Sequence, residues 1–137
     1  TNKILNINKL TSTSSFEMID KRNLYSKIKK ILTFSEKYVD RKMKVKTRRL
    51  KSFLPNKSLD KIFIKIDVEG HEIYVLRGLG KKIKKIPYVM IENQIFNLYK
   101  KKNSVHKFLV RNNFYIIKKF TFPSLHTQDI IYKNLKC

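Results

Sequence analysis

Residues 63–78 read Phe-Ile-Lys-Ile-Asp-Val-Glu-Gly-His-Glu-Ile-Tyr-Val-Leu-Arg-Gly, and the hydrophobic period changes within them. Up to Ile66, isoleucines at 62, 64 and 66 alternate with Phe63 and Lys65, the two-residue period of a strand. Beyond Gly70, Val75, Leu79 and Ile83 recur at i, i+4 and i+8 with Leu76 beside them, the apolar stripe of one helix face. Between the two lies Asp67-Val68-Glu69-Gly70. A strand that passes through such a turn into a helix is the repeating unit of an α/β sheet.

The flanking sequence continues the pattern. Pro87 precedes a strand at 88–91, Ser104 precedes a helix carrying Val105, Phe108 and Leu109, and two further strands are predicted at 114–120 and 128–132. On the other side, Leu50, Phe53 and Leu54 predict one helical turn stopped by Pro55, while Met43 and Val45 mark a short strand. Leu24, Ile28, Ile31 and Leu32 lie at helical spacing in 23–34, and 3–10 reads as extended. Strand, helix, strand, helix, strand, strand is the order of an α/β sheet with a closing strand at its edge. No repeat or low-complexity linker interrupts residues 1–137, so one domain is expected, with no room for a second.

Composition excludes several classes. Lys and Arg total 32 against 10 Asp and Glu, a net charge of +22, yet 42% hydrophobic residues are too many for a disordered basic tail. No apolar run approaches the roughly 20 residues that cross a bilayer. The first ten residues lack the apolar core of a signal peptide, and the single cysteine, Cys137, allows no intrachain disulfide framework, so the cytoplasm is the expected compartment. The three histidines, 71, 106 and 126, form no ligand pair, and no metal site is expected. The charge has two readings. Alanine and tryptophan are absent while Lys, Asn, Ile, Phe and Tyr abound, which points to A/T-rich codons. The rival is a basic nucleic-acid or anionic-surface binding module, disfavoured because lysine far outnumbers arginine, the residue that forks onto phosphates and bases.

Acidic residues are scarce except in one place, where Asp60, Asp67, Glu69 and Glu72 fall within a single strand-to-helix passage. In doubly wound sheets ligands bind beyond the carboxyl ends of the strands, where Asp67 to Glu72 would lie, next to the positive end of a helix dipole. The same residues admit a structural reading: Asp67 and Glu69 cap the helix, and Gly70 supplies a tight turn.

Residues 63–78 resemble the signature of the FkbM-type methyltransferase family, Lys-Ile-Asp-Val-Glu-Gly-x-Glu followed by an apolar helix with Leu-x-Gly. Residues 45–50, 89–92 and 128–132 resemble the flanking strands, so the similarity is strongest over 45–133, with a weaker trace at Ser14-Ser15-Phe16. The resemblance implies a methyltransferase that uses S-adenosylmethionine, with a sugar or other small-metabolite hydroxyl as acceptor. It implies a Rossmann-like sheet, mostly parallel with an antiparallel closing strand, the last strand being inserted into the sheet. It places Asp67, Glu69 and His71 as catalytic candidates, Asp67 and Gly70 beside the donor, and Glu69, Glu72 and Glu92 around the acceptor. A carboxylate suits such a place because it attracts a cationic donor or orients and deprotonates a hydroxyl, and imidazole is a base that works near neutral pH.

Enzymes of this kind hold the donor through a strand ending in a glycine-rich loop and an acidic residue on the next strand. The only glycines here are Gly70, Gly78 and Gly80, so no such loop precedes the motif. The expectation is a single partial domain, the C-terminal portion of a methyltransferase without its N-terminal donor-binding half. Its sheet would expose an edge open to self-association. An inactive remnant is the remaining alternative. Asn113 stands where the family often has glycine, a substitution asparagine tolerates in the left-handed conformation.

Overall fold

The computed structural model describes residues 2–8, 14–16, 39–54, 56, 58–94, 104–121 and 127–137, so the helix expected at 23–34 lies outside the described residues. The chain divides into two compact units. In the first, β1 (Asn2–Asn8) pairs antiparallel with β2 (Val39–Lys46), placing Lys3 opposite Val45 and Leu5 opposite Met43. The other side of β1 receives Ser15. The Asn6 amide donates to the Ser15 carbonyl at 2.9 Å, and the Ser15 amide donates back to the Asn6 carbonyl at 3.1 Å. Both residues are buried, so this exchange satisfies backbone groups that water does not reach. Residues 68–71 belong to the same unit.

The second unit contains β3 (Phe63–Ile66), α1 (Glu72–Leu79), β4 (Tyr88–Gln94), α2 (Ser104–Arg111), β5 (Phe114–Phe120) and β6 (Thr127–Asn134). Tight 3-10 turns occupy Leu50–Ser52 and Gly80–Lys85. The sheet order is β3-β4-β6-β5. β3 and β4 are parallel, but β6 is antiparallel to both β4 and β5. The expected mostly parallel sheet is therefore corrected to a mixed sheet, mostly antiparallel by pairing, and the last strand is inserted, as the family resemblance implied, and not at the edge, as the order of elements implied. The reason is the place of the last strand: β6 lies between β4 and β5, so one reversed strand makes two antiparallel ladders and leaves β5 at the edge.

Register explains the core. Ile66 lies beside Ile91, Ile91 beside Ile130, and Val89 beside Tyr132, and all five are buried on the sheet. Burial of each such side chain contributes about 1.5–3 kcal/mol. Of the expected apolar face, Leu76, Leu79 and Ile83 are buried and Val75 is half-buried, while Ile73 joins the buried positions of α1 and Ile83 falls in the following 3-10 turn. Gly80, at φ +56°, ends the α-helical pitch, so the i+4 spacing does not carry through to Ile83.

Two polar side chains tie the turns to this core. Asn134, 1% exposed, donates from Nδ2 to the carbonyls of Lys84 (3.3 Å) and Ile86 (3.2 Å), and its Oδ1 accepts from the Lys136 amide at 3.0 Å. Lys82 donates to the carbonyls of Lys51 (3.1 Å) and Leu54 (2.7 Å) and to Asn56 Oδ1 (3.1 Å). Asn113 takes φ 66° just past the end of α2, the left-handed terminus its side chain tolerates. Among the described residues no helix is long and apolar enough to cross a membrane.

Candidate functional site

The β3 ladder ends at Ile66, and Asp67 is the next residue. Its carboxylate lies 3.5 Å from Lys65 Nζ, with both side chains about half exposed (50% and 42% accessible). Solvent screens such a pair, so it leaves the Asp67 carboxylate open to a cationic ligand at little cost. Glu72 opens α1, where the dipole favours its charge. Glu92, on β4, lies opposite Asp129 of β6. Like charges directly opposite oppose pairing, and Asp129 Oδ1 is buried with no hydrogen-bond partner among the described residues. Sequence reading took Asp129 as strand filler, because only the β4–β6 register brings it to Glu92.

Residues 68–71 fold as a turn closed by the His71 amide, which donates to the Val68 carbonyl at 3.2 Å. Glu69 has φ 48° and Gly70 φ 90°. Gly70 meets this without penalty, while the left-handed conformation costs a residue with a Cβ about 1–2 kcal/mol. Neither Asp67 nor Glu69 directly precedes the first helical residue, Glu72, so the capping reading is corrected: the position before the helix is His71. The turn reading of Gly70 holds.

The turn is held by two segments distant in sequence. Ser15 Oγ donates to the Glu69 carbonyl at 2.5 Å, and the Phe16 ring lies 5.2 Å from the His71 ring at a 47° tilt. His71 is 8% exposed, and Lys3 Nζ of β1 lies 2.9 Å from its Nε2 and 5.9 Å above the Phe16 ring. Lys3, Ser15 and Phe16 escaped the sequence reading as site residues. The one available signal was the weak family trace at Ser14-Ser15-Phe16.

Residues 4–117 match the family model for the methyltransferase FkbM domain. The chain belongs to this family. The match spans most of the 137 residues and takes in β1 from Ile4 onward, Ser14 to Phe16 and the turn at residues 68–71. No curated protein and no solved structure matches the chain. The family makes this a methyltransferase domain.

Other polar groups of the FkbM domain have structural settings. His106 is exposed on α2, with Nδ1 3.4 Å from the Tyr132 hydroxyl. Burial pushes the Tyr132 hydroxyl up to about 12. In the basic run 81–85, Lys82 is committed to the turn before β3 as described. His126 lies outside the described residues. Among the described residues no three His, Cys, Asp or Glu side chains gather as a metal site.

Proposed function

We propose that this FkbM domain transfers a methyl group from S-adenosylmethionine to a hydroxyl of a sugar or other small metabolite. The observation that carries the reading is that the family motif falls on a turn where a non-glycine residue, Glu69, keeps a positive φ. Backbone strain of this kind persists where the surroundings enforce it, and it concentrates at functional sites.

Asp67 is an accessible carboxylate at a strand end and suits the sulfonium charge; Gly70, with no Cβ and φ 90°, lets a ligand approach the backbone closely. Gly78 packs beside the Leu50 amide and Gly80 ends α1, so neither adds to a donor cradle. Asp67 therefore suits the charge of the donor, and Gly70 a close approach to its own backbone, each by its own chemistry. When bound, the donor supplies an electrophilic methyl on a positively charged sulfur. Asp67 holds that charge near the strand end, Glu69 and His71 engage the acceptor hydroxyl, and Glu72 and Glu92 accept hydrogen bonds from its other hydroxyls. In-line methyl transfer depends on orientation, so positioning contributes alongside proton removal.

The test uses the full chain, calorimetric binding of S-adenosylmethionine and of its neutral thioether product, and label transfer to polyhydroxylated acceptors. Asp67→Asn is expected to weaken the charged donor by about tenfold, roughly 1.4 kcal/mol, while affecting the thioether less. Equal weakening of both ligands removes Asp67 from the charge role. Failure to methylate any hydroxylated acceptor overturns the function.

A further inference from the structure

Residues 41–49 carry Arg41, Lys42, Lys44, Lys46, Arg48 and Arg49 and no acidic residue. Strand alternation sorts those that lie on β2. Lys42, Lys44 and Lys46 share one face of the β1–β2 ribbon with Asn2, Ile4 and Asn6, while Arg41, Met43 and Val45 share the other with Lys3, Leu5 and Ile7. The second face turns toward the rest of its unit, since Lys3 reaches the His71 and Phe16 rings, and Leu5, Ile7 and Val45 are half-buried. On the first face Asn2, Lys42, Lys44 and Lys46 are exposed and Ile4 is 58% exposed; only Asn6, which bonds to Ser15, is buried. We propose that this lysine face is a docking surface for an anionic lipid bilayer.

Charge complementarity carries the proposal. Residues two apart on a strand stand about 7 Å from each other, so the three ammonium groups form a row that meets a negative surface together. Among the described residues none of the three enters an ion pair, so no protein carboxylate has to be displaced. Ile4 decides between bilayer and nucleic acid. It lies opposite Lys44, at the centre of the row, where a bilayer interface takes up an aliphatic side chain and a sugar-phosphate backbone offers it nothing. Single-stranded nucleic acid is held by stacking on aromatic rings, and neither β1 nor β2 carries one. Base edges and phosphates favour the forked guanidinium, whereas the row is all lysine, a point charge that suits a diffuse anionic surface. Such docking is peripheral and needs no spanning helix.

The docking does not rest on the proposed methyl transfer, and a chain that binds bilayers but methylates no hydroxyl upholds it. The experiment is co-sedimentation of the full chain with vesicles of phosphatidylcholine containing about 30% phosphatidylserine, at about 0.15 M salt, with pure phosphatidylcholine as the neutral surface. Binding to the anionic vesicles alone is expected. A basic residue at such a surface contributes about fivefold, so Lys42→Gln, Lys44→Gln and Lys46→Gln together are expected to weaken partitioning by about 100-fold. Lys42→Arg, Lys44→Arg and Lys46→Arg together keep the charge and are expected to keep the binding, which separates charge from loss of fold. Ile4→Ser is expected to weaken it by about fivefold. Lys81→Gln, Lys84→Gln and Lys85→Gln together remove the same charge from exposed positions of the second unit and are expected to bind within about threefold of the unaltered chain, because screening limits the attraction to charges held near the bilayer. Equal losses in the two glutamine triples would reduce the effect to net charge and overturn the proposal, as would absence of binding to anionic vesicles. A ribbon triple that binds vesicles normally but loses affinity for a single-stranded oligonucleotide would assign the face to nucleic acid instead.

Discussion

Replacing Glu69 separates what its backbone costs from what its carboxylate does. Glu69→Ala and Glu69→Gly remove the same carboxylate and every contact it makes, so their difference reports the backbone alone. At φ 48° the left-handed conformation costs alanine about 1–2 kcal/mol, whereas glycine adopts it freely. Glycine in turn gives up about 0.4–1 kcal/mol more unfolded-chain entropy. The two terms leave Glu69→Gly more stable than Glu69→Ala by about 1 kcal/mol. Urea unfolding followed by circular dichroism measures this as a higher midpoint for Glu69→Gly at an unchanged slope. Both variants are expected to lose methyl transfer alike, because both lack the carboxylate. Equal stabilities would show that residue 69 does not hold a positive φ in solution. Turnover retained by either variant would remove Glu69 from the chemistry.

Asn134→Ala deletes three hydrogen bonds at a site 1% exposed and strands the Ile86 carbonyl, while the Lys84 carbonyl keeps Cys137 Sγ at 3.7 Å, so a loss of about 2 kcal/mol is expected in urea unfolding; a loss below about 1 kcal/mol would show that water replaces those bonds. Tyr132 supplies a pH dependence. Its hydroxyl titrates at about 12 when folded and near 10 when unfolded, so the unfolded chain releases this proton first. The stability it contributes is complete below about pH 10 and is lost as pH rises through about 12, amounting to about 1.4 kcal/mol at pH ~11. Tyr132→Phe is expected to lack that part of the alkaline loss, and identical pH profiles for the two chains would refute the shift.

The sequence by itself determined the elements. Alternation at 62–66 and the change of period after Gly70 depend on neighbours along the chain, and β3, α1, β4, α2, β5 and β6 occur where that local pattern predicts them. The motif of the site was equally legible, because residues 66–72 are contiguous. Sheet order was not legible in the periodicity, and only the family resemblance implied an inserted last strand. Whether the last strand closes an edge or enters between β4 and β5 depends on which backbone edges and apolar faces meet, and the alternation within β6 is the same in either place. The pairing of Asp129 with Glu92 follows from that order and was hidden with it. The buried positions Leu76, Leu79 and Ile83 were legible, but the end of the α-helix was not, since one glycine conformation, at Gly80, decides where the helical pitch ends. The surroundings of His71 belong wholly to tertiary structure. Lys3 lies 68 residues away and Ser15 lies 54 residues from Glu69, and no local periodicity encodes contacts at such separations. The sequence thus specifies the chemical groups, while the fold decides which distant side chains meet the turn at residues 68–71.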